Sequence, residues 1–213
     1  MSRKKTTIKT KRLTFDEEKK LPWLSMLLDA YHIVDKGIAK AIETEEKNGK
    51  VLACTQGCSN CCRTLRDIPI YPLELMGISW YIAEKMTGDI RDILKKQLKE
   101  YTRSDQCPFL IQGACPIHSM RPMACRQFTV FGKQCEEGED PYYTRNKDVL
   151  PLAKKYVDQA FFIMLPFHGV EKEAERIKAV ERGDMNRTVR VLQECNWKLL
   201  GERMEKFDKE SGK

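Results

Sequence analysis

Eight of the nine cysteines in this chain fall in two bursts: Cys54, Cys58, Cys61 and Cys62, then Cys107, Cys115, Cys125 and Cys135. Cys195 stands apart. Four thiols within nine residues cannot all pack into a core as small apolar side chains. Thiolates are soft ligands for zinc and for iron–sulfur clusters. The pattern therefore constrains the fold through inorganic chemistry. Two distant segments must approach one another if their sulfurs are to share a site.

The compartment decides between disulfides and metal. No stretch reaches the roughly 20 apolar residues of a membrane helix. The basic start of the chain is not followed by an apolar run, so no secretory signal is expected and a cytoplasmic location is. Under reducing conditions such a pattern points to metal rather than to a disulfide framework. The formal net charge of +7 is concentrated in Arg3, Lys4, Lys5, Lys9, Lys11 and Arg12, which leaves the remainder at about +1. A nearly neutral body offers no clear nucleic-acid surface. The basic residues could touch nucleic acid, anionic lipid or an acidic partner, but a solvated terminus is the ordinary reading.

The apolar spacing predicts a mainly α chain. Residues 1–20 read as a basic flexible tail. Residues 21–210 read as one helical domain with its cysteine-cluster core at 52–136. Trp23, Leu24, Leu27, Leu28, Tyr31, Val34, Ile38 and Ile42 recur at helical spacing up to about Lys47, with Asn48-Gly49 as the stop. The first burst follows as an irregular knuckle. A second helix is expected from Pro72 to about Met86, with Glu74 at its positive end. A third is expected through Leu98, capped by Asp89. Cys107 to Ile117 reads as a small β-hairpin turning at Gln112-Gly113, with a cysteine at each end. Further helices are predicted at about 148–162, 171–181 and, as one long element carrying Cys195, 185–207.

Metal ligation needs several donors at one point, about 2.3 Å from a zinc ion. Cys54-x3-Cys58-x2-Cys61 can present three sulfurs on one side of a knuckle. Adjacent side chains diverge, so Cys61 and Cys62 do not easily share one tetrahedral ion. Either two sites share the knuckle, or one cysteine is a packed or redox-active bystander. Cys107, Cys115, Cys125 and Cys135 supply the remaining donors, and eight sulfurs would complete two four-sulfur sites. Spacing does not assign cysteines to sites. Cys195 reads as an ordinary packed thiol. Two four-thiolate sites concentrate negative charge, and Arg63, Arg66, Arg121, Arg126 and Lys133 lie nearby in sequence to offset it. Arg121 and Arg126 flank Cys125 and are the candidate cofactor-binding cations. His118 reads as an outer or surface group; His32 and His168 lie outside both bursts.

Cys54-x3-Cys58-x2-Cys61 also matches the spacing used by radical S-adenosylmethionine enzymes, but a helix precedes it here and the strands of a β/α barrel are lacking. Taken together, the Cys54-x3-Cys58-x2-Cys61-Cys62 string, a helix bearing Glu74, Cys107-Pro108-Phe109-Leu110, Cys115, and Arg121-Pro122-x2-Cys125-Arg126 resemble the YkgJ-type cysteine-cluster family. The resemblance covers roughly Leu52 to Phe131. It implies a zinc- or iron-chelating domain, often described as containing an iron–sulfur cluster, with Cys54, Cys58, Cys61, Cys62, Cys107, Cys115 and Cys125 as ligands. Cys135 rests on spacing. A similar domain occurs in flagellin lysine N-methylases, which implies methyl transfer as a possible activity, although no glycine-rich loop for S-adenosylmethionine is evident.

Three functions follow as expectations. The first is an iron–sulfur protein, with a 4Fe-4S cluster favoured, working in electron transfer or redox chemistry with a protein partner. The second is a zinc-stapled interaction module. The third is an S-adenosylmethionine-dependent, protein-methylase-like enzyme. No Ser/His/Asp arrangement, phosphate loop or acidic dyad stands out.

Overall fold

The computed structural model describes residues 10–55, 57–104, 106–151 and 153–212. Arg3, Lys4, Lys5 and Lys9 of the expected tail lie outside them. Among the described residues the α-helices are α1 (Pro22–Lys47), α2 (Asn60–Thr64), α3 (Pro72–Trp80), α4 (Asp89–Lys99), α5 (Met123–Gln127), α6 (Pro141–Thr144), α7 (Lys154–Met164), α8 (Glu173–Glu181) and α9 (Trp197–Ser211). The fold is mainly α. A two-stranded antiparallel sheet pairs β1 (Pro69–Ile70) with β2 (Arg190–Val191). No described helix is long and apolar enough to cross a membrane.

The contacts divide the chain into two compact units. The first comprises 1–54, 126–134 and 141–187; the second comprises 55–125, 135–140 and 188–213. In the first unit α1 buries Leu24, Leu27, Leu28, Tyr31, Val34 and Ile42, the apolar stripe that its sequence spacing predicts. Pro22 opens the helix, and Asn48 with left-handed Gly49 closes it. The expected tail is structured from residue 10 onward where it is described. Asp16–Lys19 forms a 3-10 turn. Arg12 binds Glu18 at 2.6 Å and Asp29 at 2.6 Å, and these carboxylates, Glu18 foremost, raise its guanidinium pKa. Two backbone bridges, Leu52 to Phe131 and Val130 to Val149, tie the remaining segments of this unit together.

The second unit is built around the apolar residues of α3, α4 and α9. Ile78, Ile82, Leu94, Leu98, Phe109, Trp197 and Met204 form its core. Phe109 meets Trp197 edge to face at 4.7 Å, and the Trp197 indole donates to the Leu192 carbonyl at 2.7 Å. α3 starts at Pro72 as expected, then widens into a π-helical turn over Tyr81–Lys85. α4 is capped by Gly88, and Asp89 is its first helical residue, not its cap. The hairpin expected at Gln112-Gly113 is present as one bridge, Ile111 opposite Ala114. Both turn residues have positive φ, 49° and 78°, the type I′ pattern that matches strand twist.

The long helix expected across 185–207 does not form. β2 interrupts it: Arg190 and Val191 pair with Ile70 and Pro69, and the Leu192 N–H donates to the Ile68 carbonyl at 2.8 Å. Gln193 is buried and completes the join, donating to the Leu65 carbonyl at 2.7 Å and accepting from the Ile68 N–H. Cys195 therefore lies between a 3-10 turn and the start of α9, half-buried, with its thiol on the Val191 carbonyl at 3.4 Å.

α4 and α9 approach closely at Gly201. A Cβ there would sit 2.8 Å from the Lys99 backbone nitrogen, which cannot swing aside. Gly201→Ala is expected to lower stability by about 1–3 kcal/mol, against the gain of roughly 1 kcal/mol that the same change gives in an open helix. Urea denaturation followed by circular dichroism reads the sign, and a stabilised variant contradicts the close approach.

Candidate metal centre

The second unit holds seven of the eight burst cysteines, all but Cys54, and Cys62, Cys107, Cys115 and Cys125 pack on its apolar core. α2 carries Cys61 and Cys62 on one short turn, held by the Cys62 N–H on the Ser59 carbonyl at 3.0 Å and the Leu65 N–H on the Cys61 carbonyl at 3.0 Å. The second burst is bonded directly to the first: the Cys107 N–H donates to the Cys62 carbonyl at 2.8 Å. Cys107 is buried; Cys61, Cys62, Cys115 and Cys125 are half-buried.

The thiols lie close enough to perturb one another. A side-chain hydrogen bond with Cys62, reinforced by burial, raises the Cys61 pKa. The Cys62 thiol is pushed up to about 12, first by its hydrogen bond to Cys107, with burial and the neighbouring Cys115 adding to it. Burial pushes the Cys125 thiol well up, and Cys61, Cys62, Cys115 and Glu74 act in the same direction. Burial also raises Cys115, assisted by Cys61 and opposed by Arg121. All four shifts disfavour thiolate: at Cys61 and Cys62 a neighbouring thiol leads, at Cys115 and Cys125 burial does. A bound cation would offset this and favour thiolate at Cys61, Cys62, Cys115 and Cys125.

The other sequence-predicted residues are placed differently. Cys58 is exposed in the second unit, its N–H on the Thr55 carbonyl at 3.1 Å. Cys135 is half-buried in the same unit. The Asn60 amide donates to the Glu136 carbonyl at 2.7 Å, which fastens the Cys135 loop to the start of α2. Cys54 belongs to the first unit, where its Sγ accepts from the Val130 N–H at 3.3 Å. Arg126 also belongs to the first unit. It is buried there, paired with Asp35 at 2.8 Å and stacked 4.0 Å over the Tyr31 ring. Arg121 holds the His118 carbonyl at 2.7 Å and meets the His118 ring at 2.9 Å. Its charge reaches Cys115. His118 is exposed.

Glu74 has a role beyond a helix-end charge. It is fully buried. One carboxylate oxygen accepts from the Tyr71 N–H at 3.0 Å, closing the start of its own helix. The other accepts from the Met123 N–H at 2.7 Å, at the start of the helix that carries Cys125. The Pro72-x-Glu74 signature reveals the first bond. Nothing local reveals the second, which spans 49 residues. Asn60 and Gln193 likewise carry no sequence signal for their distant carbonyls.

The donor set fits a soft metal in kind, being sulfur-rich and shielded from water. Among the described residues no three His, Cys, Asp or Glu side chains stand grouped around a point that an ion could fill. What joins the two bursts directly is the backbone bond from the Cys107 N–H to the Cys62 carbonyl.

Residues 53–148 match the model of one protein family, CxxCxxCC, described as "Putative zinc- or iron-chelating domain". This is the cysteine-cluster family that the sequence resembles. The match supports metal chelation and does not choose between zinc and iron. No curated protein and no solved structure matches the chain.

Proposed function

We propose that this chain, which carries the CxxCxxCC domain across residues 53–148, is an iron–sulfur protein that exchanges electrons with a protein partner. The observation that carries the reading is the packing of Cys62, Cys107, Cys115 and Cys125 on one apolar cluster, with Cys61 beside Cys62 on α2 and the Cys107 N–H on the Cys62 carbonyl. Neighbouring cysteines fit a single zinc ion poorly, because their side chains diverge from one tetrahedral centre. A multi-iron cluster spreads its ligand positions over several metal ions, so Cys61 and Cys62 can each serve a different one. When bound, such a cluster supplies a one-electron couple. The chain supplies the thiolates and a dry, apolar surround from Phe109 and Ile117, and the Arg121 guanidinium moderates the charge at Cys115. A 4Fe-4S form needs four cysteine ligands, which this set of five can supply.

Elemental analysis with Mössbauer spectroscopy on protein purified without oxygen tests this. Iron with acid-labile sulfide and a brown colour are expected. Colourless anaerobic protein with stoichiometric zinc sinks the redox reading and leaves a zinc-stapled module.

A further inference from the structure

A buried carboxylate on α3, a helix without a cysteine, is bonded to the start of the helix that carries Cys125. Glu74 is fully buried, and its two oxygens are divided between two helix starts: Tyr71 N–H before α3 and Met123 N–H at the first residue of α5. Cys125 sits two residues beyond Met123, on a helix of only five residues. A single turn has little cooperative stability of its own, so its first N–H groups depend on an outside acceptor. The hydrogen bond at 2.7 Å is charge-assisted.

We infer that Glu74 is a positioning residue of the metal centre, acting through Cys125: it fixes the start of α5 and thereby aims the Cys125 sulfur. This rests on the metal-binding reading above and adds a residue outside the sulfur set. Outer groups that orient a ligand are worth about 10–100-fold in metal affinity when removed. The carboxylate is poorly suited to be simple core filling, since a buried charge without a partner is costly. Among its partners are backbone N–H groups at the starts of α3 and α5.

The test uses the full chain, metal-free and anaerobic, titrated with cobalt(II) in competition with a chelator. The thiolate-to-cobalt charge-transfer band reports how many sulfurs reach the ion. Glu74→Ala is expected to weaken cobalt binding by about 10–100-fold and to lower the band per bound ion as Cys125→Ser does. In a Cys125→Ser background, Glu74→Ala should add less than about threefold, because both changes remove the same contact. Glu74→Gln keeps one acceptor oxygen and should fall between wild type and alanine. Full affinity and full band intensity in Glu74→Ala overturn the role, as do losses that multiply in the double variant. If far-UV circular dichroism shows Glu74→Ala unfolded, the same cycle is run with Glu74→Gln, and multiplied losses there overturn it equally. A wild-type chain without a thiolate–cobalt band removes the metal reading and this role with it, whereas a wild-type band with an indifferent Glu74→Ala removes the role alone.

Discussion

Cys62→Ala is expected to strip the chain of stably held metal. Cys62 is the link between the two bursts: it packs on the same apolar cluster as Cys107, Cys115 and Cys125, it neighbours Cys61, and its carbonyl receives the Cys107 N–H. Removing it takes out a donor and opens a gap between the two bursts at once. The loss in affinity should exceed the roughly 100-fold that marks the upper end for outer groups. Metal binding of this kind contributes on the order of 10 kcal/mol to folding where it is structural. The variant should therefore also melt earlier than wild type, and a chelator should have little further effect on it. Cys195→Ala is the matched control, because that thiol lies on the Val191 carbonyl and belongs to neither burst. Metal-to-protein ratios after anaerobic gel filtration decide the matter. A Cys62→Ala chain with the wild-type ratio, or a Cys195→Ala chain without metal, contradicts the assignment.

Asp208→Ala should cost about 3–5 kcal/mol of unfolding free energy, the usual consequence of leaving a buried cation unpaired. Asp208 on α9 accepts from Arg91 on α4 at 3.1 and 2.5 Å and from Lys95 at 2.7 Å. Arg91 and Asp208 are both buried, at 5% and 8% exposure, so solvent screens the pair weakly. The same contact predicts an acid response. Arg91 foremost, then Lys95, hold the Asp208 carboxyl down to about 2, against burial. A carboxyl depressed on folding contributes stability above its ordinary value near 4, and that contribution fades as pH falls from about 4 towards 2. Wild-type stability should drop across that window, while Asp208→Ala should lack this part of the drop. Urea midpoints at pH 7, 4 and 3 provide the comparison. A loss under about 1 kcal/mol at pH 7 would show that the pair is not buried in solution.

Much of this molecule was legible before its structure. α1 was readable because its stripe is long and its ends are punctuated by Pro22 and Gly49. α4 and α8 followed from periodicity and differ from expectation only at their margins. The misjudged element is instructive. Thr188, Val189 and Val191 are β-branched, a strand signal, but Leu192, Trp197 and Leu200 also fit a helical face. The conflict was settled by Ile70 and Pro69, more than a hundred residues away, which offer a ladder for Arg190 and Val191.

The cysteine spacing by itself determined the chemistry: soft donors in excess of any packing need, in two bursts. Tertiary structure alone decided which cysteines pack together. It packed Cys62, Cys107, Cys115 and Cys125 on one apolar cluster, set Cys54 against Val130, committed Arg126 to Asp35 and Tyr31, and recruited Glu74 to the helix of Cys125. The reason is physical. Ligand type and local turns follow from neighbouring residues, whereas a buried hydrogen bond or ion pair depends on partners that only the folded chain brings to the same place.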